Sequence, residues 1–223
     1  VSQDFLQLIQ SGNEAAVTAA LENDPSLAEY RDAQGVSALL WSVYTGQRKV
    51  SILLMAKLAT LGIPLDVFEA ASTGDEARLQ AILSENASAA QAFSSDGWTA
   101  LHLAAAFGTP LSVGALIFRG ARVDAVSQNA QQNQPLHAAL ALGKNPSTIE
   151  LLVSHGADVN ATQAGSFTPI FSAAAANRID LAEMLMEHGA NPHHASDQGK
   201  TPADFAREHG HAELAAWFDS LPA

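Results

Sequence analysis

Histidine is the residue in this 223-residue chain best suited to chemistry, and five of the eight crowd the stretch from His188 to His211 in its C-terminal third. His193-His194 and His209-Gly210-His211, with His188 upstream, could offer imidazole nitrogens to zinc or nickel. The chain has no cysteine, which excludes disulfides and thiolate metal ligands. The two histidine pairs also belong to different sequence segments, so no built metal centre and no cofactor are expected. A general base needs a cleft and a partner nucleophile, and neither accompanies His102 or His137. Asp124, Asp158 and Asn160 stand in turn-like segments, where such side chains bond nearby backbone. Paired-carboxylate hydrolysis would need two facing acids, and the spacing supplies none. Phosphate-binding glycine loops, a Gly-x-Ser-x-Gly elbow and His-Glu-x-x-His are all missing from the sequence. No catalytic residue is assigned, and the chain reads as a non-enzyme.

The patterns that do recur concern packing. From Asp96 to Gly108 the chain reads as a turn (Asp96-Gly97), a helix cap (Thr99), an apolar face (Leu101, Ala104, Ala105) and a glycine stop expected to be left-handed. A glycine or asparagine at the same place falls at Gly12, Gly46, Gly74, Gly108, Gly143, Asn177 and Gly210. The intervals are 34, 28, 34, 35, 34 and 33 residues, the mark of a stacked array in which no unit buries its apolar face alone. The first unit is expected to start at an Asp4 cap and to point Phe5, Leu8, Ile9, Val17, Ala20 and Leu21 inward. The second helix of the second unit, Val50 to Leu61, is about a turn longer than its counterparts. The short interval leaves Ile63-Pro64-Leu65-Asp66 no room for a connecting hairpin, which predicts a bend or widened groove near 62–66. Gly12–Gly35 and Gly74–Gly97 are both 23 residues apart, so the third unit reads as a duplicate of the first. Gly143–Thr148 holds one extra residue, and Ser127–Gln134 reads as a solvated hairpin tip. Asp204, Arg207, Glu208, His211 and Glu213 read as the polar outer face of a closing cap, with Leu214, Trp217 and Phe218 packing inward.

These motifs resemble the ankyrin repeat. Thr99-Ala100-Leu101-His102-Leu103-Ala104, Gln134-Pro135-Leu136-His137-Ala138-Ala139, Thr168-Pro169-Ile170-Phe171-Ser172-Ala173 and Thr201-Pro202-Ala203-Asp204-Phe205-Ala206 follow its Thr-Pro-Leu-His-x-Ala signature. Segments such as Gly156-Ala157-Asp158-Val159-Asn160 are similar to its repeat-ending stretch. The second unit departs from the signature, with Leu40 in the histidine's place. The resemblance implies an all-α repeat solenoid, one domain over 1–223, with helix-turn-helix units at about 4–31, 32–62, 66–94, 95–126, 127–161, 162–194 and 195–220. The units would be joined by β-hairpin-like loops, with one hairpin missing near 62–66. It also implies structural roles for Thr99, His102, His137, Thr168 and Thr201, with each histidine ring bonding its own unit's threonine and a backbone group of the next. By the same resemblance the function is protein–protein recognition on a concave face of hairpin tips and first helices. Val36, Tyr44, Trp98, Phe107, Leu142 and Phe167 would be presented there, beside Gln34, Asp96, Asn133, Gln163, Lys200 and Glu208. The alternatives are a metal or small-molecule sensor using the C-terminal histidines or the gap at 62–66, and a spacer within a longer polypeptide.

Composition agrees with this reading. Eleven Lys/Arg against 23 Asp/Glu give a net charge of −12. The cations are dispersed, so counterion release from phosphates has nothing to act on and a nucleic-acid partner is not expected. No apolar run reaches the roughly 18 residues of a membrane span. A monomer binding a partner protein is the expectation. The missing cysteine leaves the compartment open, with the cytoplasm favoured over export. The opening Val1-Ser2-Gln3 suggests that an upstream segment was removed.

Overall fold

The computed structural model describes residues 2–143 and 145–222; Val1, Lys144 and Ala223 lie outside the described residues. Its helices come in consecutive pairs. They are α1 (Ser2–Gln10) with α2 (Glu14–Asn23), α3 (Ala38–Tyr44) with α4 (Arg48–Thr60), α5 (Val67–Thr73) with α6 (Glu76–Glu85), and α7 (Ala100–Phe107) with α8 (Pro110–Phe118). There follow α9 (Pro135–Ala138) with α10 (Pro146–Ser154), α11 (Pro169–Ala175) with α12 (Ile179–Glu187), and α13 (Pro202–Glu208) with α14 (Ala212–Asp219). The expected all-α solenoid is what forms. Among the described residues there is no strand, only isolated bridges at Arg31–Ser37, Phe93–Thr99 and Gln163–Phe167. No described helix is long and apolar enough to cross a membrane.

Local chemistry sets the helix starts. A cap oxygen takes an otherwise orphaned amide hydrogen. Asn13 accepts from Ala16, Ser37 from Leu40, Asp75 from Arg78 and Thr109 from Ser112. Asp4 does not cap α1. The helix already begins at Ser2, which leaves Asp4 in the first turn, where its charge meets the positive end of the helix dipole. The duplication of the first unit in the third extends to backbone angles. Asp24 (φ −140°, ψ 91°) and Asn86 (φ −144°, ψ 92°) each cap a short 3-10 helix, Pro25–Glu29 and Ala87–Gln91. Their side-chain oxygens accept the hydroxyls of Ser26 and Ser88 at 2.6 Å. In the fifth pair α9 continues as a π-helical turn, Ala139–Gly143, so the extra residue is absorbed just ahead of the Gly143–Thr148 stretch, within which Lys144 is outside the described residues.

From a second helix to the next first helix the chain makes an extended turn, here called a finger, over 24–37, 86–99, 119–134, 155–168 and 188–201. Successive fingers are bonded through the backbone. The amides of Gln128, Ala164 and Asp197 donate to the carbonyls of Gly97, Gln131 and Gly165. Between α4 and α5 the link is only residues 61–66 and makes no finger. The gap does not widen the groove. The finger of the second pair, around Gly35, meets the finger of the fourth: a Cβ on Gly35 would lie 3.1 Å from the Ser95 side chain. The Tyr44 hydroxyl donates to Asp96 at 2.9 Å across the same junction.

One apolar core runs the length of the array, from Phe5 and Ile9 to Leu214 and Phe218, with Trp217 packed at its edge. A separate small cluster of Val36, Leu40 and Leu103 lies at the skipped finger. At the C-terminal end Arg207 pairs with Asp204 and Asp219, and Lys200 with Glu208. His211 does not face outward with them. Its Nε2 bonds the Ala175 carbonyl of the preceding unit at 3.1 Å.

The first helices stack closely because glycine stands where they cross. Gly108 is not left-handed (φ −84°, ψ −146°). A Cβ there would lie 2.2 Å from the Ala71 carbonyl oxygen, and one on Gly143 would lie 2.4 Å from that of Ala105. Gly210, with φ +81°, has open space around it. Gly108→Ala should therefore cost roughly 2–3 kcal/mol by forcing two helices apart, whereas Gly210→Ala should cost only about 1 kcal/mol of backbone strain. Urea titrations of the two variants check the order.

Candidate partner-binding surface

The candidate surface is built from the fingers and the first helices. Tyr44 ends α3, Trp98 sits on a finger, and Phe107 ends α7. The structure brings these three together, because the closed junction at the skipped finger draws α3 towards α7. The Tyr44 and Phe107 ring centroids are 5.6 Å apart, and Trp41 meets Tyr44 edge-on at 6.1 Å. All are half-buried over Val36, Leu40 and Leu103, with Phe68 of α5 completing the set. Val36, expected to be presented to a partner, is only 2% exposed. The finger that carries it folds down onto Leu103, and the rings close over it.

Polar contacts hold this aromatic patch in register. Trp41 Nε1 donates to Asp32 Oδ2 at 2.8 Å, while Asp32 Oδ1 takes the amides of Gln34 and Val36. Arg31 reaches Asp66 at 3.0 Å and Glu69 at 3.5 Å. Burial, then the nearby Asp66 charge, raises the Glu69 pKa. Burial and the Asp96 carboxylate push the Tyr44 hydroxyl well above its usual range, so it serves as a donor. Of the other residues expected on this face, Leu142 lies on the π turn and is 52% exposed. Phe167 is apart from the first patch, half-buried against Phe171 and Phe205 at 5.2 and 5.4 Å. Asn133, expected beside them as a polar neighbour, is buried.

The signature residues link adjacent units. His102 Nδ1 accepts from the Thr99 hydroxyl at 2.7 Å, and its Nε2–H donates to the Asn133 carbonyl of the next finger at 3.0 Å. His137 Nδ1 accepts from the Gln134 amide, and its Nε2–H donates to the carbonyls of Ala161 and Phe167. A carbonyl can only accept, so both rings are neutral Nε2–H tautomers. Burial lowers both pKa values to about 4. Thr201 bonds Asp204, which occupies the histidine's place in the last unit. Thr168 is the exception. The ring position there is Phe171, and the buried Thr168 hydroxyl has no hydrogen-bond partner.

The C-terminal histidines do not converge. His193 bonds Pro222, His194 bonds Ser166, His188 bonds Met184 and His209 bonds Phe205, each through a backbone carbonyl. Among the described residues no group of three His, Cys, Asp or Glu could hold a metal ion.

Two features escaped sequence reasoning. Trp41 and Phe68 belong to the aromatic patch, and on α8 Leu111 and Phe118 are 69% and 86% exposed beside a groove of ≈ 630 Å³ against α6. The helical periodicity of α8 was the available signal, because Leu111 and Phe118, seven residues apart, fall opposite its buried Val113 and Leu116.

Paired helices, bonded fingers and a core with no single centre define a repeat solenoid, a class in which each unit is stabilised by its neighbours. The particular family follows from comparison with known proteins. The family described as "Ankyrin repeats (3 copies)" matches residues 67–163 and 136–218. The chain belongs to the ankyrin-repeat family, and the matched part begins at the first residue of α5. It is 41% identical over 85 residues to mouse "ARF GTPase-activating protein GIT2", covering 37% of this chain and 12% of that protein. It is 38% identical over 71 residues to "Putative ankyrin repeat protein YahD" of Escherichia coli (strain K12), covering 30% of this chain and 35% of that one. With mouse "B-cell lymphoma 3 protein homolog" it shares 32% identity over 112 residues, covering 50% of this chain and 25% of the relative. In each case the similarity covers well under two thirds of the relative's length. Ankyrin repeats are generally protein–protein interaction modules and typically non-catalytic.

Both buried histidines are neutral when folded and titrate near 6.5 when unfolded. Their stabilising contribution is whole above pH 6.5 and is lost as pH falls towards 4, at up to about 1.4 kcal/mol per pH unit for each ring. The His102→Gln/His137→Gln double variant should be less stable at pH 7 yet lose stability less steeply between pH 6.5 and 4, which melting curves at a series of pH values check. Tyr44→Phe should keep the ring packing but cost about 1–2 kcal/mol through the lost bond to the half-buried Asp96 carboxylate, readable as a lower urea midpoint.

Proposed function

We propose that the chain is a protein-binding array, a single solenoid of seven units over 1–223, that holds a partner protein along its concave face and performs no reaction. One observation carries the reading: successive fingers are tied together by backbone bonds at Gly97–Gln128, Gln131–Ala164 and Gly165–Asp197, and where one finger is skipped the end of α3 is tied to the next finger by Tyr44–Asp96. A face already held in one conformation loses little entropy when a partner docks. The half-exposed rims of Tyr44, Trp98 and Phe107 supply aromatic area with few rotatable bonds, the kind of group that anchors interfaces. Leu142 and Phe167 extend the contact towards the C-terminal units, and Gln34, Gln163, Lys200 and Glu208 form its polar rim. Val36 supports the rings from below and makes no contact. A footprint over several units reaches the ~800 Å² per partner of a stable interface.

The test is affinity capture of partner protein on the immobilised chain, comparing the two faces. Leu142→Asp combined with Gln131→Arg should weaken capture at least ~10-fold, about 1.4 kcal/mol, without changing the melting temperature. Leu111→Asp on α8 should leave capture unchanged. Capture that survives the first variant and is lost with the second would place the partner on the other side of the molecule.

A further inference from the structure

The chain carries −12 overall, yet one second helix has the opposite sign. In its thirteen residues α4 holds Arg48, Lys49 and Lys57 and no acid. Ile52 on its solvent face is 52% exposed, and Leu61 just past its end is 40% exposed. The groove beside it, ≈ 470 Å³ and lined by Arg48, Ile52, Met55 and Phe107 among others, has no acidic side chain in its wall. The reverse arrangement is found on α12, which holds Asp180, Glu183 and Glu187 and no Lys or Arg. Ile179 at its start is 42% exposed.

Local ion pairs remove part of each charge set. Lys49 is paired with Glu14 at 3.0 Å, and Asp180 with Arg178. What is left is Arg48 and Lys57 on α4 and Glu183 and Glu187 on α12, none in a salt bridge among the described residues. Ile179, Glu183 and Glu187 lie four residues apart and form one row on their helix. Arg48, Ile52 and Ala56 form a row of the same pitch on α4, next to that of Lys49, Leu53 and Lys57. Rows of this spacing interlock when two helices pack. Each face thus has an exposed isoleucine to bury and charges of the sign the other lacks.

We propose that the chain associates with a second copy of itself head to tail, α4 of one molecule docking on α12 of the next. This goes beyond partner recognition by the concave face and departs from the monomer expected from sequence. The two surfaces are different, so the contact is heterologous and each added copy leaves a free α4 at one end and a free α12 at the other. Opposed charge supplies the selectivity, since α4 against α4 or α12 against α12 brings like charges together.

The experiment is sedimentation equilibrium of the full chain over a range of concentrations. The weight-average mass should rise above the monomer's 23.3 kDa. Arg48→Glu/Lys57→Glu should remain monomeric, and so should Glu183→Lys/Glu187→Lys, whereas an equimolar mixture of the two variants should associate again, because each then carries what the other needs. Circular dichroism melts show whether each variant folds; where a reversal fails to fold, the neutral pair Arg48→Gln/Lys57→Gln replaces it and should associate more weakly than wild type. A wild-type chain that stays monomeric throughout overturns the proposal. So does association that persists in both reversed variants, which would assign the contact to another surface such as that of Leu111 and Phe118, and so does a mixture that remains monomeric.

Discussion

The spacing between first helices is the constraint on which the molecule depends. A helix pair with an apolar layer on each side is stable only if its neighbours approach closely enough to exclude water. Here the approach is limited by backbone, with the Ala71 and Ala105 carbonyl oxygens lying where a β-carbon on Gly108 or Gly143 would be. The alanines of α7 serve the same end, since small side chains let the packed layers lie close. Once that distance is set, the buried histidine rings reach from one unit to the carbonyls of the next, and the fingers fall within hydrogen-bond range of one another.

The skipped finger tests this constraint. Removing the link's extension could have left a notch. Instead the flanking fingers close on each other, and the aromatic side chains of α3, α5 and α7 fill the space beneath them. The bond from Tyr44 to Asp96 stands where a backbone bond between fingers is found elsewhere, so a side-chain hydroxyl does here what main-chain amides do at the later junctions. The charged residues around it, Arg31, Asp66 and Glu69, fix the start of α5, the helix that the closure covers.

Much of the architecture was legible in the sequence. Cap residues such as Asn13, Ser37 and Thr109 act within a single turn, and local signals of that kind need no knowledge of the rest of the chain. The near-repeat of Gly12–Gly35 in Gly74–Gly97 is visible by counting. What depended on residues far apart was not legible. Burial of Val36 follows from the meeting of Gly35 with Ser95, and that meeting follows from the short link at 61–66, which lies between them in the chain. The need for glycine at 108 comes chiefly from a carbonyl in the preceding unit, that of Ala71, and not from a left-handed turn. Solvent on the far side of α8 and α4 is likewise a matter of what fails to cover them, which the pattern of a single helix only half reveals.

The closed junction alters how the array can come apart. In a regular solenoid each unit senses only its immediate neighbours, so the ends fray one unit at a time. Here the second unit touches the fourth directly, over the head of the third. The third unit cannot melt without exposing the apolar patch that its neighbours share, and the second cannot detach without stripping the fourth of Tyr44. The second, third and fourth units are therefore expected to melt together, while the C-terminal units retain the stepwise freedom of an ordinary chain of repeats.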